Sequence, residues 1–260
     1  MLKILKYSFY DLIRSRWSYV YLAFYLLLGF VLLFLNNDLS KAVITLMNVI
    51  IILVPLIGTI FGVMYYYSTK EFTELLLAQP IKRSSIFIGQ YLGVALSLVM
   101  SLVIGLGLPF VLYGLFESSA IWDFSLLLIT GAMLTLIFTA LAFNIALYNE
   151  NKIKGFSYAI LLWLFLAVIY DGLFLLSLML FETYPLDKFT LIATVFNPID
   201  LSRILILLKL DISALLGYTG AIFNQFFGTS LGLISALGML TLWVILPVWN
   251  IKRKAQKKDF

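Results

Sequence analysis

Six long apolar runs divide the chain, at roughly 17–35, 43–67, 86–113, 124–148, 155–181 and 226–250. At about 1.5 Å of rise per residue each is long enough to cross a bilayer as a helix, and none contains a lysine or arginine. Around them the pattern changes. Residues 1–16 place Leu2, Leu5, Phe9, Leu12 and Ile13 on one side of a helix, with Lys3, Lys6 and Arg14 on another. This reads as an interfacial helix on the inner leaflet or as an extension of the first span. In the interruption at 68–85, Phe72, Leu75 and Leu76 fall at i, i+3 and i+4, the spacing of a short helix that Pro80 ends. Ser84 or Ser85 can cap the helix that follows. The segment 182–225 holds Asn197 as the cap of a helix opening on Pro198, with Asp200 and Arg203 at i and i+3, close enough to pair. Its apolar part is too short to span, so an outward-facing helix sunk into the interface, or a re-entrant one, is expected up to Asp211. Gly217 and Gly220 then break the chain before the last crossing. The expected fold is all-α, a single polytopic membrane domain over 1–260 with six transmembrane helices.

Composition strengthens this reading. With 63% hydrophobic and 12% charged residues there is too little polar surface for a soluble domain. Fourteen of the 18 basic residues fall in the segments that share a side with the N-terminus, and Lys41, Lys188, Arg203 and Lys209 fall on the other. That asymmetry puts both termini in the cytoplasm. The net charge of +5 is then an orientation signal and not a nucleic-acid patch. The first run starts at Trp17 and lacks a small-residue cleavage site, which favours a retained span over a removed signal peptide. Trp17, Tyr65, Tyr66, Tyr67, Tyr113, Trp122 and Trp249 stand at run ends, where interfacial aromatic belts form. Gly58/Gly62, Gly89/Gly93 and Gly228/Gly232 allow close helix approach, within one chain more readily than across a dimer seam. Pro55, Pro109 and Pro247 should bend or end their helices, and the cluster Gly105, Gly107 and Pro109 suggests a kink or unwound stretch.

Candidate chemistry is sparse. There is no cysteine and no histidine, which removes disulfides, thiolate catalysis and imidazole metal sites. Seven methionines are scattered without the clustering of a thioether copper path. No phosphate-binding G-x-x-x-x-G-K-[ST] occurs, so any ATP and Mg must be bound by another polypeptide; no cofactor is expected in this chain. An aspartyl protease would need a second intramembrane carboxylate and a zinc protease its ligands, so the chain reads as no enzyme. The formal charge within a run is Asp171, in the outer half of the fifth. Such a carboxylate is costly; it either lines a pathway that transmits change to the outer face or ties helices together as a hydrogen-bonded carboxyl.

The stretch S-T-K-E-F-T-E-L-L-L-A-Q-P-I-K-R-S-S, with Glu74-Leu75-Leu76-Leu77, then Pro80 and Arg83, resembles the coupling segment of export-type ATP-binding cassette permeases. It departs from the usual pattern at Glu71-Phe72, where many relatives carry Gly-Thr. The resemblance implies an ATPase-coupling role for Glu71, Phe72, Glu74, Leu75, Leu76, Gln79 and Arg83. From residues alone the same helix is a plug for a soluble partner or a helix lying on lipid headgroups. The V-I-Y-D-G-L-F-L-L-S run around Asp171, N-P-I-D-L-S-R-I-L from Asn197, and L-D-I-S-A-L-L-G-Y-T-G-A are similar to the permease of the nitrous oxide reductase maturation system. That resemblance implies a permease half in the bacterial inner membrane, working with a second copy and a separate ATPase. It further implies a periplasmic copper-handling repeat protein contacted near Asn197, Pro198, Asp200 and Arg203, in the maturation of the reductase's copper clusters. A general exporter of lipid, peptide or drug, and a non-transporting membrane scaffold, are the other readings.

Overall fold

In an apolar solvent every backbone N–H and C=O must find its partner inside the chain, and helices do this within one segment. The computed structural model describes residues 1–36, 38–181, 186–209 and 230–257, and among these all regular structure is helical. In order the helices are α1 (Leu2–Ile13), α2 (Arg16–Asn36), α3 (Leu39–Ser68), α4 (Lys70–Leu77), α5 (Arg83–Leu112), α6 (Ile121–Tyr148), α7 (Lys152–Leu164), α8 (Tyr170–Leu180), α9 (Asp187–Val195), α10 (Pro198–Lys209) and α11 (Ser230–Lys257). A 3₁₀ turn at Leu115–Glu117 precedes α6, and a π-helical turn at Phe165–Ile169 joins α7 to α8 into one span. Six helical segments have the length and apolarity to cross a membrane: Arg16–Asn36, Leu39–Ser68, Arg83–Leu112, Ile121–Tyr148, Lys152–Leu180 and Gly232–Gln256. This is a multi-pass membrane protein. Asp211, Gly217, Gly220 and Gly228 lie outside the described residues.

The bundle is assembled at small residues. In lipid there is no hydrophobic gain from bringing two helices together, so close backbone approach and dispersion must supply the attraction. A Cβ placed on Gly62 of α3 would stand 2.8 Å from Ala142 Cβ of α6, and one on Gly58 would stand 3.3 Å from Thr139 Oγ1. These two glycines therefore serve packing within the chain. On α5, Gly89 and Gly93 receive Ile4 and Ser8 of α1, while Gly105 receives Tyr25 of α2 and Pro109 lies against Gly29. Both chain order and contact order increase together along this face, so α1 and then α2 follow α5 in the same direction.

Several sequence expectations change here. Helix α1 packs along α5 at Gly89 and Gly93, with a break at Arg14 and Ser15 where the Ser18 N–H donates to Ser15 Oγ at 3.3 Å. Its buried residues are Ile4, Ser8 and Leu12, and Leu2 is 78% exposed, because the glycine groove of α5 selects a narrow face where the apolar stripe offered a wider one. The Gly105–Pro109 cluster stays helical to Leu112, with Gly105 and Pro109 serving the α2 crossing and Gly107 facing open space. Pro55 and Pro247 likewise sit inside continuous helices. Helix α5 is entered through Lys82 in extended conformation without a side-chain cap, so Ser84 and Ser85 lie inside its first turn. Trp17, Trp122, Trp249 and Tyr113 are exposed at helix ends, but Tyr65 and Tyr66 are buried, with the Tyr66 ring against Phe87 and Phe143. Tyr67 closes the α6–α7 turn by donating to Asn149 O at 2.6 Å.

Candidate functional site

Two polar junctions interrupt the apolar packing, one at α4 and one where α10 meets α8. Helix α4 ends where expected, with the Ala78 N–H on Glu74 O and Pro80 beyond. Its inner side is braced twice. The Phe72 ring stacks on Tyr7 of α1 with centroids 4.7 Å apart, and buried Thr73 accepts from Gln90 Nε2 of α5 at 2.8 Å. Phe72 and Leu76 are consequently half-buried, while Leu75 is 68% exposed. The three do not form one outward apolar face. The outward face is Glu71, Glu74, Leu75, Ala78 and Gln79, with Arg83 exposed at the start of α5. The Lys70–Glu74 pair at 3.9 Å is more than half exposed and contributes little. Tyr7 and Gln90 were not singled out from sequence. A lone glutamine at the mouth of an apolar run was the available signal for Gln90; nothing marked Tyr7.

The second junction is a helical hairpin. Helices α9 and α10 meet at a bend of 114°, and α10 packs against α3, α6 and α11. Pro198 pre-sets the first helical φ, and Asn197 caps from below, its Oδ1 accepting the Ile199 N–H at 3.1 Å. Helix α10 is buried on all sides from Pro198 to Leu207 except at half-buried Arg203. It is therefore packed inside the bundle.

The structure brings Asp171, Asn197, Asp200 and Arg203 into one cluster. Arg203 Nη1 donates to Asp171 Oδ2 at 2.6 Å and to Asp200 Oδ1 at 3.5 Å. Asn197 Nδ2 donates both to Asp200 Oδ2 and to Leu166 O, each at 2.8 Å. The second bond lands where the helix register slips: the Tyr170 N–H bonds five residues back to Phe165 O, and Leu166 O is the next carbonyl along. Two carbonyls at the end of α9 also accept from neighbouring elements: Ala193 O, which already takes the Phe196 N–H at 3.1 Å, from the Tyr170 hydroxyl at 2.6 Å, and Val195 O from Trp243 Nε1 at 2.9 Å. One guanidinium thus serves two carboxylates and pins the hairpin to α8, while Trp243 pins it to α11. Asp171 has the partner that its position in a span demanded. The π turn, Tyr170 and Trp243 carried no distinguishing sequence signal. Among the described residues no group of three or more metal-ligating acidic, histidine or cysteine side chains occurs.

No family model matches the chain. Over 179 residues it is 27% identical to the probable ABC transporter permease protein NosY of Stutzerimonas stutzeri. This chain is similar to an ABC transporter permease. The matched stretch covers 67% of this chain and 58% of NosY, so less than two thirds of the relative's length is spanned. Six membrane-crossing helices in an all-helical fold agree with that likeness.

Proposed function

We propose that the chain is the transmembrane subunit of an ABC transporter, with α4 as the element that receives the stroke of a separate ATPase. ATP and Mg belong to that partner. The observation that carries the reading is the asymmetry of α4: Glu71, Glu74, Leu75 and Gln79 face outward, while Phe72 and Thr73 are tied from behind to Tyr7 and Gln90. A push on Leu75 is thereby delivered to α1 and α5 as well as to α3, at whose end α4 begins. Helix α3 also packs against α10, so one rod of 30 residues touches the receiving helix and the α8–α10 cluster. Both termini lie in the cytoplasm of a bacterial inner membrane in this reading, which places the break before α9 on the far face. A second copy completes the permease.

The finer proposal is that the stroke reaches a periplasmic copper-handling repeat protein and serves the maturation of nitrous oxide reductase. It is supported by the likeness to NosY and by the cluster that Asp171 of α8 forms with Asn197, Asp200 and Arg203 of the hairpin. Purifying the chain from native membranes tests both levels. An ATPase together with a secreted repeat protein supports maturation, an ATPase alone supports a general exporter, and neither supports a scaffold. Leu75→Glu should abolish ATPase co-purification without lowering thermal stability, and retention of the ATPase by that variant would remove α4 from the mechanism.

A further inference from the structure

On α1, Lys3, Lys6, Tyr7, Tyr10 and Arg14 line an open groove of about 590 Å³. No acidic residue lines it, and among the described residues no salt bridge reaches its three cations. Two of its side chains are held from within: the Tyr7 ring stacks on Phe72, and the Lys6 ammonium stands 5.9 Å from the centroid of the Tyr10 ring. Tyr7 and Tyr10 are about half exposed, so a ligand that meets the cations also meets two phenols. Three unpaired positive charges and two hydroxyl donors make a site for an anion rich in acceptor oxygens.

The neighbouring surface identifies which anion. Ile4 and Ser8 of α1 lie on Gly89 and Gly93 of α5, and Tyr25 and Gly29 of α2 lie on its Gly105 and Pro109. At about 100° per residue from those contact points, the groove residues stand about 180–280° round α1. Trp17, Val20, Phe24, Leu27 and Val31 stand about 180–260° round α2, and all five are exposed. The cationic groove of α1 and the bare apolar face of α2 are therefore one stripe facing away from α5, and the membrane-crossing segment starts at Arg16, where one gives way to the other. We propose that the groove holds the headgroup phosphate of an anionic glycerophospholipid whose acyl chains run down the exposed face of α2. An acidic protein surface would match the cations but has no use for the apolar continuation; a phospholipid uses both, as basic clusters beside a span meet anionic lipid. The binding does not depend on the transporter reading.

Native mass spectrometry of the full chain, with whatever subunits accompany it, tests the proposal with three probes: dioleoyl phosphatidylglycerol, dioleoyl phosphatidylcholine and glycerol 3-phosphate. The first should bind about tenfold more tightly than the second, and the third, which has no acyl chain, should not be retained. Replacing Lys3, Lys6 and Arg14 together by glutamine should erase the preference between the two lipids with the melting temperature unchanged, since all three are exposed. Tyr7→Phe with Tyr10→Phe, which leaves every charge and the ring stack in place, should weaken phosphatidylglycerol about threefold. Lys152, Lys154 and Lys252, exposed at the same end of the bundle, are the control: their joint replacement by glutamine removes equal charge and should keep the preference. Equal binding of the two lipids, retention of glycerol 3-phosphate, or an equal loss in the control would overturn the proposal. So would loss of an accompanying subunit from the Lys3, Lys6 and Arg14 variant with its lipid preference intact, which would make the groove a protein-docking face.

Discussion

Replacing Arg203 with methionine removes the shared cation of the α8–α10 cluster while keeping an apolar stem in its place. Asp171 then loses its 2.6 Å partner, and Asp200 keeps only the 2.8 Å bond from Asn197. Removing one member of a fully buried pair costs about 3–5 kcal/mol, and a hydrogen bond to a charged group is worth about 1.5–3. The Arg203 and Asp171 side chains are 26% and 30% exposed, so the lower range applies and about 2 kcal/mol is expected. Asp171→Asn should cost about 1 kcal/mol, because Arg203 retains Asp200 and the amide still accepts. In the double variant no carboxylate at 171 is stranded, so the combined loss should fall short of the sum by about 1 kcal/mol. Unfolding in mixed micelles titrated with dodecyl sulfate, followed by tryptophan fluorescence, measures all four corners of the cycle. Amide exchange across α9 and α10 should rise in the Arg203 variant and remain unchanged in α3. Losses that add to within about 0.5 kcal/mol would mean that the two side chains do not act on one another, and the lock between α8 and α10 would be refuted.

Gly93→Val should dislodge α1, because a Cβ there would stand 2.6 Å from Ser8 Cβ and 3.0 Å from Leu5 O; faster amide exchange across α1 reports the loss. Gln90→Leu should leave Thr73 in place and cost about 1 kcal/mol, while uncoupling ATP hydrolysis from the client's response; wild-type coupling in that variant would remove the brace from the mechanism. Asn197→Ala loses the cap and the bonds to Leu166 O and Asp200, and should cost about 2–3 kcal/mol in the same micellar titration.

The six spans were legible because an apolar run of bilayer length is a property of consecutive residues. What the runs face was not. Inside a membrane a residue against lipid and a residue against a neighbouring helix are both apolar, so α10, buried by α3, α6 and α11, looks in sequence like an interfacial helix. The same ambiguity holds at Phe72, whose apolar ring suits a docking face and is half-buried against Tyr7. Asp171 stood out as a costly charge, and the motif from Asn197 was read as a cap and a local Asp200–Arg203 pair, both of which the structure has. Their joining across 32 residues depends on the hairpin's 114° bend, which no local pattern encodes. The glycines of α3 and α5 were recognisable as packing sites, although the partner of each one was not.

Lipid competes with helices for apolar contact on nearly equal terms, so dispersion alone gives the bundle little reason to prefer one register over another. Side-chain bonds to backbone carbonyls of other elements provide that preference here: Trp163 to Ile52 O, Asn144 to Pro247 O, Trp243 to Val195 O, Tyr170 to Ala193 O and Asn197 to Leu166 O. In a low-dielectric setting each such bond is costly to break without a replacement, which makes it a joint with few alternative positions. Those of Trp243, Tyr170 and Asn197 converge on the hairpin and its flanking π turn. A displacement of α8 or α11 therefore cannot be absorbed by sliding; it must either carry the hairpin along or exchange these bonds as a set, and that requirement is what suits the hairpin to passing a motion on.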